Sequence, residues 1–269
     1  MTVSLMKSRL INLKYYSSYF GLRFTKNARK LAGFSDKHQG ERCFIIGNGP
    51  SLNDCDLTLL RNEVTFGVNA IYLNHQNMGF HPTYYVVEDV FVAEDRCDEI
   101  SKYIGPSQKF FGSYLRYTLN GDKKTTWMNV IVDYRDYPGF PNFSKNSSRC
   151  LWVGGSVTYL CMQLAYFMGF STVYLIGFDH NYVVPRDATV SNIKPNGFDI
   201  LSNSEDPNHF HPDYFGKGYR WHDPKVDRME KGFLKARQNF EADGRKIYNA
   251  TKGGRLEAFD RVEYDSLLS

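Results

Sequence analysis

The chain has 269 residues, 42% of them hydrophobic and 16% aromatic, which is enough apolar surface for a sizeable core and excludes a disordered composition. Its net charge of +4 is uneven: residues 1–40 hold eight Lys or Arg against one acid, Asp36, which leaves −3 for the other 229 residues. A slightly acidic globular part argues against a nucleic-acid partner, and five cysteines with no C-x-x-C pair exclude a disulfide framework or a zinc site and suit the reducing cytoplasm.

No stretch is apolar for the 18 residues that a membrane-spanning helix needs, and the N-terminus has no compact apolar core of the secretory kind. Met6, Leu10, Leu13, Tyr16, Phe20 and Phe24 recur at helical spacing, with Lys7, Lys14 and Arg23 off that line. This pattern predicts a basic amphipathic helix within residues 1–30. It suits an anionic membrane surface on the inner face of the cell membrane. Packing on the domain, or self-association into a homo-oligomer, is the competing use. The glycine-bounded polar stretch from Gly33 to Gly40 reads as a linker, dividing a segment 1–40 from a domain 41–269.

The domain opens with Cys43-Phe44-Ile45-Ile46, a strand buried on both faces. Gly47-Asn48-Gly49 then makes a sharp turn in which the glycines tolerate positive φ and admit a ligand close to the backbone. Pro50 and Ser51 open a helix. Strand, glycine turn and helix start together predict an anion site of free N–H groups. A bare tight turn is the alternative, since the pattern is neither G-x-G-x-x-G nor a Walker loop.

Further strands are expected at Val64–Val68, Thr83–Val87, Lys109–Gly112 and Met128–Asp133, with a short helix at Asp56–Arg61. Such alternation predicts an α/β, Rossmann-like fold: a mostly parallel sheet with helices on both faces. Ligands sit off the carboxyl ends of such strands, where Asn69, Glu88 and Asp89 fall; each alone would read as a turn residue or helix cap.

Gly154-Gly155-Ser156 begins a second glycine-rich helix start with a capping hydroxyl, again suited to an anion. The helix runs from Tyr159 to Met168, and Gly169 ends it. The strand Val173–Gly177 delivers Phe178, Asp179 and Tyr182 to the same edge. Residues 183–223 are long and irregular, as lids are. They contain His209-x-His211, a pair short of the ligands that a metal site needs, so no metal is expected. His222 stands before a helix, Lys225–Ala242, where it reads either as a capping or packing residue or as a general base. A last strand is expected at Lys246–Asn249.

The series Gly47-Asn48-Gly49-Pro50-Ser51-Leu52, a strand ending in Asn69, the Gly-Ser helix start and Tyr174-Leu175-Ile176-Gly177-Phe178-Asp179 resembles the bacterial sialyltransferases of glycosyltransferase family 42. It also resembles related Rossmann-like flagellin-modifying glycosyltransferases. Archaeal hydroxymethylpterin diphosphokinases share part of the pattern. The resemblance covers about residues 42–254. It implies metal-independent, inverting transfer of sialic acid or a similar acidic sugar from a CMP-activated donor, with no other cofactor. By that resemblance Asn48, Gly49 and Asn69 would hold the nucleotide and Ser156 its cytidine or phosphate. His222, in the block Tyr219-Arg220-Trp221-His222, matches the general base. The sialyltransferases place two tyrosines against the departing phosphate. Here Tyr182 comes one residue late and Arg186 stands in for the second.

The reading is therefore a glycosyltransferase acting on a surface glycan or a lipid-linked acceptor. The donor site would comprise Gly47, Asn48, Gly49, Pro50, Ser51, Asn69, Asp89, Gly155, Ser156, Asp179 and Tyr219, and catalysis would fall to His222, Tyr182 and Arg186. Two alternatives stand beside it. One is a Mg²⁺-dependent diphosphokinase using Glu88, Asp89 and Asp179; the other is a non-catalytic nucleotide-binding protein at the membrane.

Overall fold

The structure is a computed structural model, and it describes residues 20, 22, 25–132, 141–191, 199–202, 205–216 and 218–268. Most of the basic N-terminal pattern, including Met6, Leu10, Leu13 and Tyr16, lies outside them. The described part of that segment holds one helix, α1 (Lys26–Ala32), capped by the Thr25 hydroxyl. Its Leu31 joins the core, and Lys30 donates to the carbonyls of Lys123 and Thr125.

The strands β1 (Arg42–Ile46), β2 (Thr65–Val68), β3 (Tyr84–Val87), β4 (Gln108–Gly112) and β5 (Thr125–Met128) form in chain order. Helices α2 (His75–Met78), α3 (Val90–Asp95) and α4 (Cys97–Lys102) lie in their connections. Next come β6 (Val130–Ile131) and β7 (Leu151–Trp152), which pair with each other in a two-stranded sheet. Helix α5 (Val157–Phe167) and β8 (Thr172–Ile176) follow. After β9 (Thr189–Val190), β10 (Ile200–Ser202) and β11 (Trp221–His222) come α6 (Val226–Ala242), β12 (Lys246–Asn249) and β13 (Asp260–Arg261).

The main sheet has the order β13-β12-β8-β1-β2-β3-β4-β5, and all its pairings are parallel. This is the Rossmann-like α/β architecture expected from the alternation. Period-two side-chain geometry splits the core in two. Cys43 and Ile45 face one side with Leu160 of α5 and Phe233 of α6. Phe44 and Ile46 face the other with Leu52, Val92 and Ile100. Every residue of α5 is buried; α6 buries Met229, Phe233, Ala236 and Phe240 at helical spacing and exposes the rest of its surface more freely.

Two expectations change. The strand placed at Met128–Asp133 is divided: Thr125-Thr126-Trp127-Met128 pairs with β4, and Val130–Ile131 forms β6 beside β7; Asp133 lies outside the described residues. The segment 183–223 is less irregular than its composition suggested: β9, β10 and β11 form a small antiparallel sheet.

The chain order fixes where a ligand can sit. From β1 the strands run outward to β5, then the chain returns to place β8 on the other side of β1. Between β1 and β8 the direction of winding reverses, which opens a crevice at the carboxyl ends of the strands.

Candidate functional site

A cleft of about 320 Å³ occupies that crevice. The turn after β1 supplies Gly47, Asn48 and Gly49; β2 ends in Asn69, β3 in Glu88 and Asp89. The start of α5 supplies Gly155 and Ser156, the end of β8 supplies Asp179 and Tyr182, and β11 supplies His222. Turns far apart in sequence thus converge on one cavity.

The glycine turn is built differently from the expected cradle of free N–H groups. Gly47 donates to Ile176 O at 2.8 Å and Gly49 to Gly177 O at 2.9 Å, extending the ladder to β8. The Ser51 amide and hydroxyl both donate to the Asp179 carboxylate, the hydroxyl at 2.8 Å. Neither Gly47 nor Gly49 has a positive φ. Glycine is needed at 49 for space: a Cβ there would lie 1.8 Å from Asp179 Oδ2. Pro50 begins a five-residue 3₁₀ turn, not an α-helix, and neither it nor buried Ser51 lines the cleft. Asp179 is held above the usual carboxylate range, because burial outweighs the Ser51 hydrogen bonds.

The second glycine-rich turn follows expectation. Gly155 has φ +89°, and Ser156 caps α5 by accepting from the Thr158 amide at 3.3 Å while donating to Thr158 Oγ1 at 3.1 Å. An 11-residue helix aims its N-terminus at the cleft, so its dipole and first-turn N–H groups favour an anion there.

On the β2 side, Asn48 Nδ2 donates to Tyr214 Oη at 3.0 Å and to Val68 O at 3.3 Å. The buried side-chain oxygens of Asn48 and Asn69 have no hydrogen-bond partner among the described residues. Asn69 adopts φ +49°, a conformation asparagine tolerates better than most residues.

Across the cleft His222 Nδ1 lies 2.9 Å from Asp89 Oδ2. Asp89 Oδ1 caps α3, accepting the amides of Phe91 at 2.8 Å and Val92 at 3.1 Å. The Phe91 ring packs on the imidazole, with centroids 4.8 Å apart. Burial pulls the His222 pKa down, but the hydrogen bond and charge of Asp89, with the charge of Glu88, leave it raised above 6.5. Burial pushes Asp89 up, yet His222 and the helix amides bring it below its ordinary value. Glu88 is pushed up to about 7, chiefly by burial and then by Asp89, although Tyr114 donates to its carboxyl at 3.0 Å. His222 is therefore an ion-pair partner of a β3 carboxylate, not a cap for α6.

Other expected residues sit elsewhere. Tyr219 stacks on the Arg96 guanidinium at 4.0 Å and does not line the cleft; Arg186 is exposed and outside the lining as well. Tyr182 stands at the rim, 37% exposed. The pair His209-x-His211 diverges: His209 lines the cleft with Nδ1 2.8 Å from Asp206 Oδ2, whereas His211 Nδ1 accepts the Asp213 amide at 3.2 Å. Tyr114, Thr158 and the Asp206–His209 pair went unnoticed as site features, since no periodicity or motif marks an Asp three residues before a His in a loop.

Among the described residues no three His, Cys, Asp or Glu stand together as a metal-ligand set, and no helix is long and apolar enough to cross a membrane. No curated protein matches the chain. It is similar to the solved MAf glycosyltransferase from Magnetospirillum magneticum AMB-1, with 15% identity and a TM-score of 0.48 over 89% of this chain; it spans 38% of that one. The family model described as 6-hydroxymethylpterin diphosphokinase MptE-like matches residues 22–184. That match takes in β1 to β8, hence both glycine-rich turns, Asn69, Asp89 and Asp179, and stops before His222. Over this majority of its length, and through the strands that build its cleft, the chain belongs to the MptE-like family.

Proposed function

We propose that this protein is a glycosyltransferase that moves an acidic sugar of the sialic acid type from a CMP-activated donor to a surface glycan or lipid-linked acceptor. The observation that carries the reading is the Asp89–His222 pair at the mouth of the crevice. Asp89 holds Nδ1, so the basic lone pair of the neutral ring lies on Nε2, and the N–H groups that cap α3 fix Asp89 in turn. As the anomeric carbon–oxygen bond breaks, its electron pair passes to the phosphate oxygen. The acceptor hydroxyl attacks the anomeric carbon and gives its proton to His222. The start of α5, with Ser156 and Thr158, receives the phosphate. Asn48 and Asn69 offer the nucleotide their unpartnered oxygens, and Tyr182 stands at the rim. The described residues of the segment 183–223, which include His209, Tyr214 and Phe215 of the lining, would cover the donor and keep water from it.

Charge supports a nucleoside monophosphate donor. The described lining contains Glu88, Asp89, Asp179 and Asp223 but neither Lys nor Arg. A single phosphodiester can be met there by N–H dipoles; a triphosphate needs cations. The family name points to a second reading, an ATP-dependent diphosphokinase with Mg²⁺. The carboxylates do not fit that ion: Asp89 is committed to His222 and α3, Asp179 to Ser51, and Glu88 is raised to about 7.

The test is to incubate the protein with CMP-activated acidic sugars in EDTA and follow release of CMP. Release that depends on an added glycan acceptor supports transfer. Pterin-dependent AMP formation from ATP and Mg²⁺, with no CMP release, establishes the diphosphokinase instead. The basic residues before α1 supply the membrane attachment in this reading. A protein lacking residues 1–24 that still binds anionic vesicles would remove that attachment.

A further inference from the structure

The cleft holds a second imidazole–carboxylate pair, and it is attached to the opposite wall. The Asp206 side chain is 3% exposed and accepts the amides of Asn208 at 3.0 Å and Phe215 at 2.8 Å besides His209 Nδ1. Two main-chain N–H groups fix that carboxylate in place. The His209 ring lies flat on Tyr214, with centroids 4.0 Å apart at 5°, and meets the edge of Phe215 at 5.0 Å. The loop carrying it is tied to the glycine turn. Phe210 N donates to Asn48 O at 2.9 Å, Asn53 Nδ2 to Phe210 O at 3.1 Å, and Tyr214 Oη takes the Asn48 amide. His209 is thereby placed at the nucleotide end, while His222 is placed at the β3 end.

The start of α5 meets the leaving phosphate with N–H dipoles; a further side-chain donor would strengthen that hold, and the described lining has no Lys or Arg to supply one. It has three imidazoles: His180, His209 and His222. His222 must be neutral to accept a proton. The Nε2 of His180 is buried without a partner among the described residues, and burial holds that ring below its ordinary value. His209 alone of the three combines a place beside the glycine turn with a buried counter-carboxylate.

We infer that His209, held through Nδ1 by Asp206, is a further catalytic residue that donates from Nε2 to the phosphate of the departing nucleotide. The inference rests on the nucleotide-sugar reading above. Its step needs no co-reactant: the phosphate oxygen keeps the electron pair of the broken glycosidic bond, Nε2–H hydrogen-bonds to that phosphate, and the acceptor's proton goes to His222. The two pairs divide the reaction between its nucleophile and its leaving group.

The test compares CMP with cytidine, which lacks the phosphate, by calorimetric titration of the full-length protein and of His209→Ala and His209→Asn. Asparagine keeps an amide near the Nδ1 position for Asp206 but has nothing at Nε2, so it reads the same quantity if the alanine protein does not fold. A charge-assisted hydrogen bond to phosphate predicts that both variants lose about tenfold in CMP affinity with cytidine affinity unchanged. Wild-type protein that prefers CMP, with variants that keep the same CMP-to-cytidine ratio or weaken both ligands alike, overturns the role of His209 and leaves the nucleotide-sugar reading standing. Wild-type protein that binds neither ligand removes that reading and this inference with it.

Discussion

His222 and Asp89 are 133 residues apart in sequence, yet Nδ1 of one lies 2.9 Å from Oδ2 of the other. The same Asp89 caps α3, so the imidazole proposed as the base is anchored to a secondary-structure element and not only to the loop that carries it. His222→Ala is expected to lower transfer by about 10²- to 10⁴-fold while CMP binding stays within about twofold. Asp89→Asn keeps a good helix cap, so it should lower turnover with a stability loss under about 1 kcal/mol. Single-turnover kinetics and calorimetry separate the two effects; equal losses of binding and turnover in His222→Ala would count against the assignment.

The cluster makes activity and stability move in opposite directions with pH. The proposed transfer would need neutral His222, so kcat is expected to rise as pH climbs through a value above 6.5. The folded protein binds that proton more tightly than the unfolded chain does. The resulting stability is fully present below 6.5 and is lost as pH passes the folded value. Glu88 acts in the same sense: its folded value of about 7 against 4.5 means that stability falls across that window. Glu88→Gln, which keeps an acceptor for Tyr114, should then stabilise the protein near pH 8 by on the order of 1–2 kcal/mol, allowing for solvent at the cleft. Near pH 4 the variant and the wild type should match. Denaturant titrations at the two pH values check this, and an identical difference at both would refute it.

Much of this was legible from strands and turns. Cys43–Ile46 and Val173–Ile176 are apolar runs that can only be central, and their edge residues Asn48 and Asp179 face one crevice because parallel strands end together. The wiring of the glycine turn was not legible. Gly-Asn-Gly-Pro-Ser is a loop sequence that fits an anion cradle and a tight join to a neighbouring strand equally well. Only the position of β8 decides, through Gly177 O and Asp179. Asp206–His209 was hidden for a related reason: its meaning depends on Asn48 lying next to Phe210, a contact across 162 residues of chain.

Gly49→Ala tests that join directly. The added methyl would sit 1.8 Å from Asp179 Oδ2 and 2.8 Å from Gly177 O, so side chain and backbone must both shift. The expected cost is about 2–3 kcal/mol or more, in the range of overpacked sites. Asp179→Ala removes the nearer obstacle, so Gly49→Ala should cost less in that background. A double-mutant cycle by chemical denaturation measures the coupling; costs that simply add would show that the methyl is accommodated elsewhere.

Arg220 links the segment that carries His222 to the helix capped by Asp89. Its amide donates to Asp95 Oδ2 at 2.8 Å and its Nε to Asp95 Oδ1 at 3.0 Å, and its guanidinium lies 4.6 Å from the Phe91 ring that packs on His222. A charge pair 40% exposed on the Arg side contributes little to global stability, but a misplacement near the base is felt strongly in rate. Arg220→Ala is therefore expected to leave the denaturation midpoint almost unchanged, to lower kcat about tenfold, and to speed proteolysis between residues 205 and 220. The main-chain bond to Asp95 survives in that variant, so Asp95→Ala, which removes both bonds, should be more severe. If Asp95→Ala turns over at the wild-type rate, the strand bearing His222 is held by the small antiparallel sheet alone.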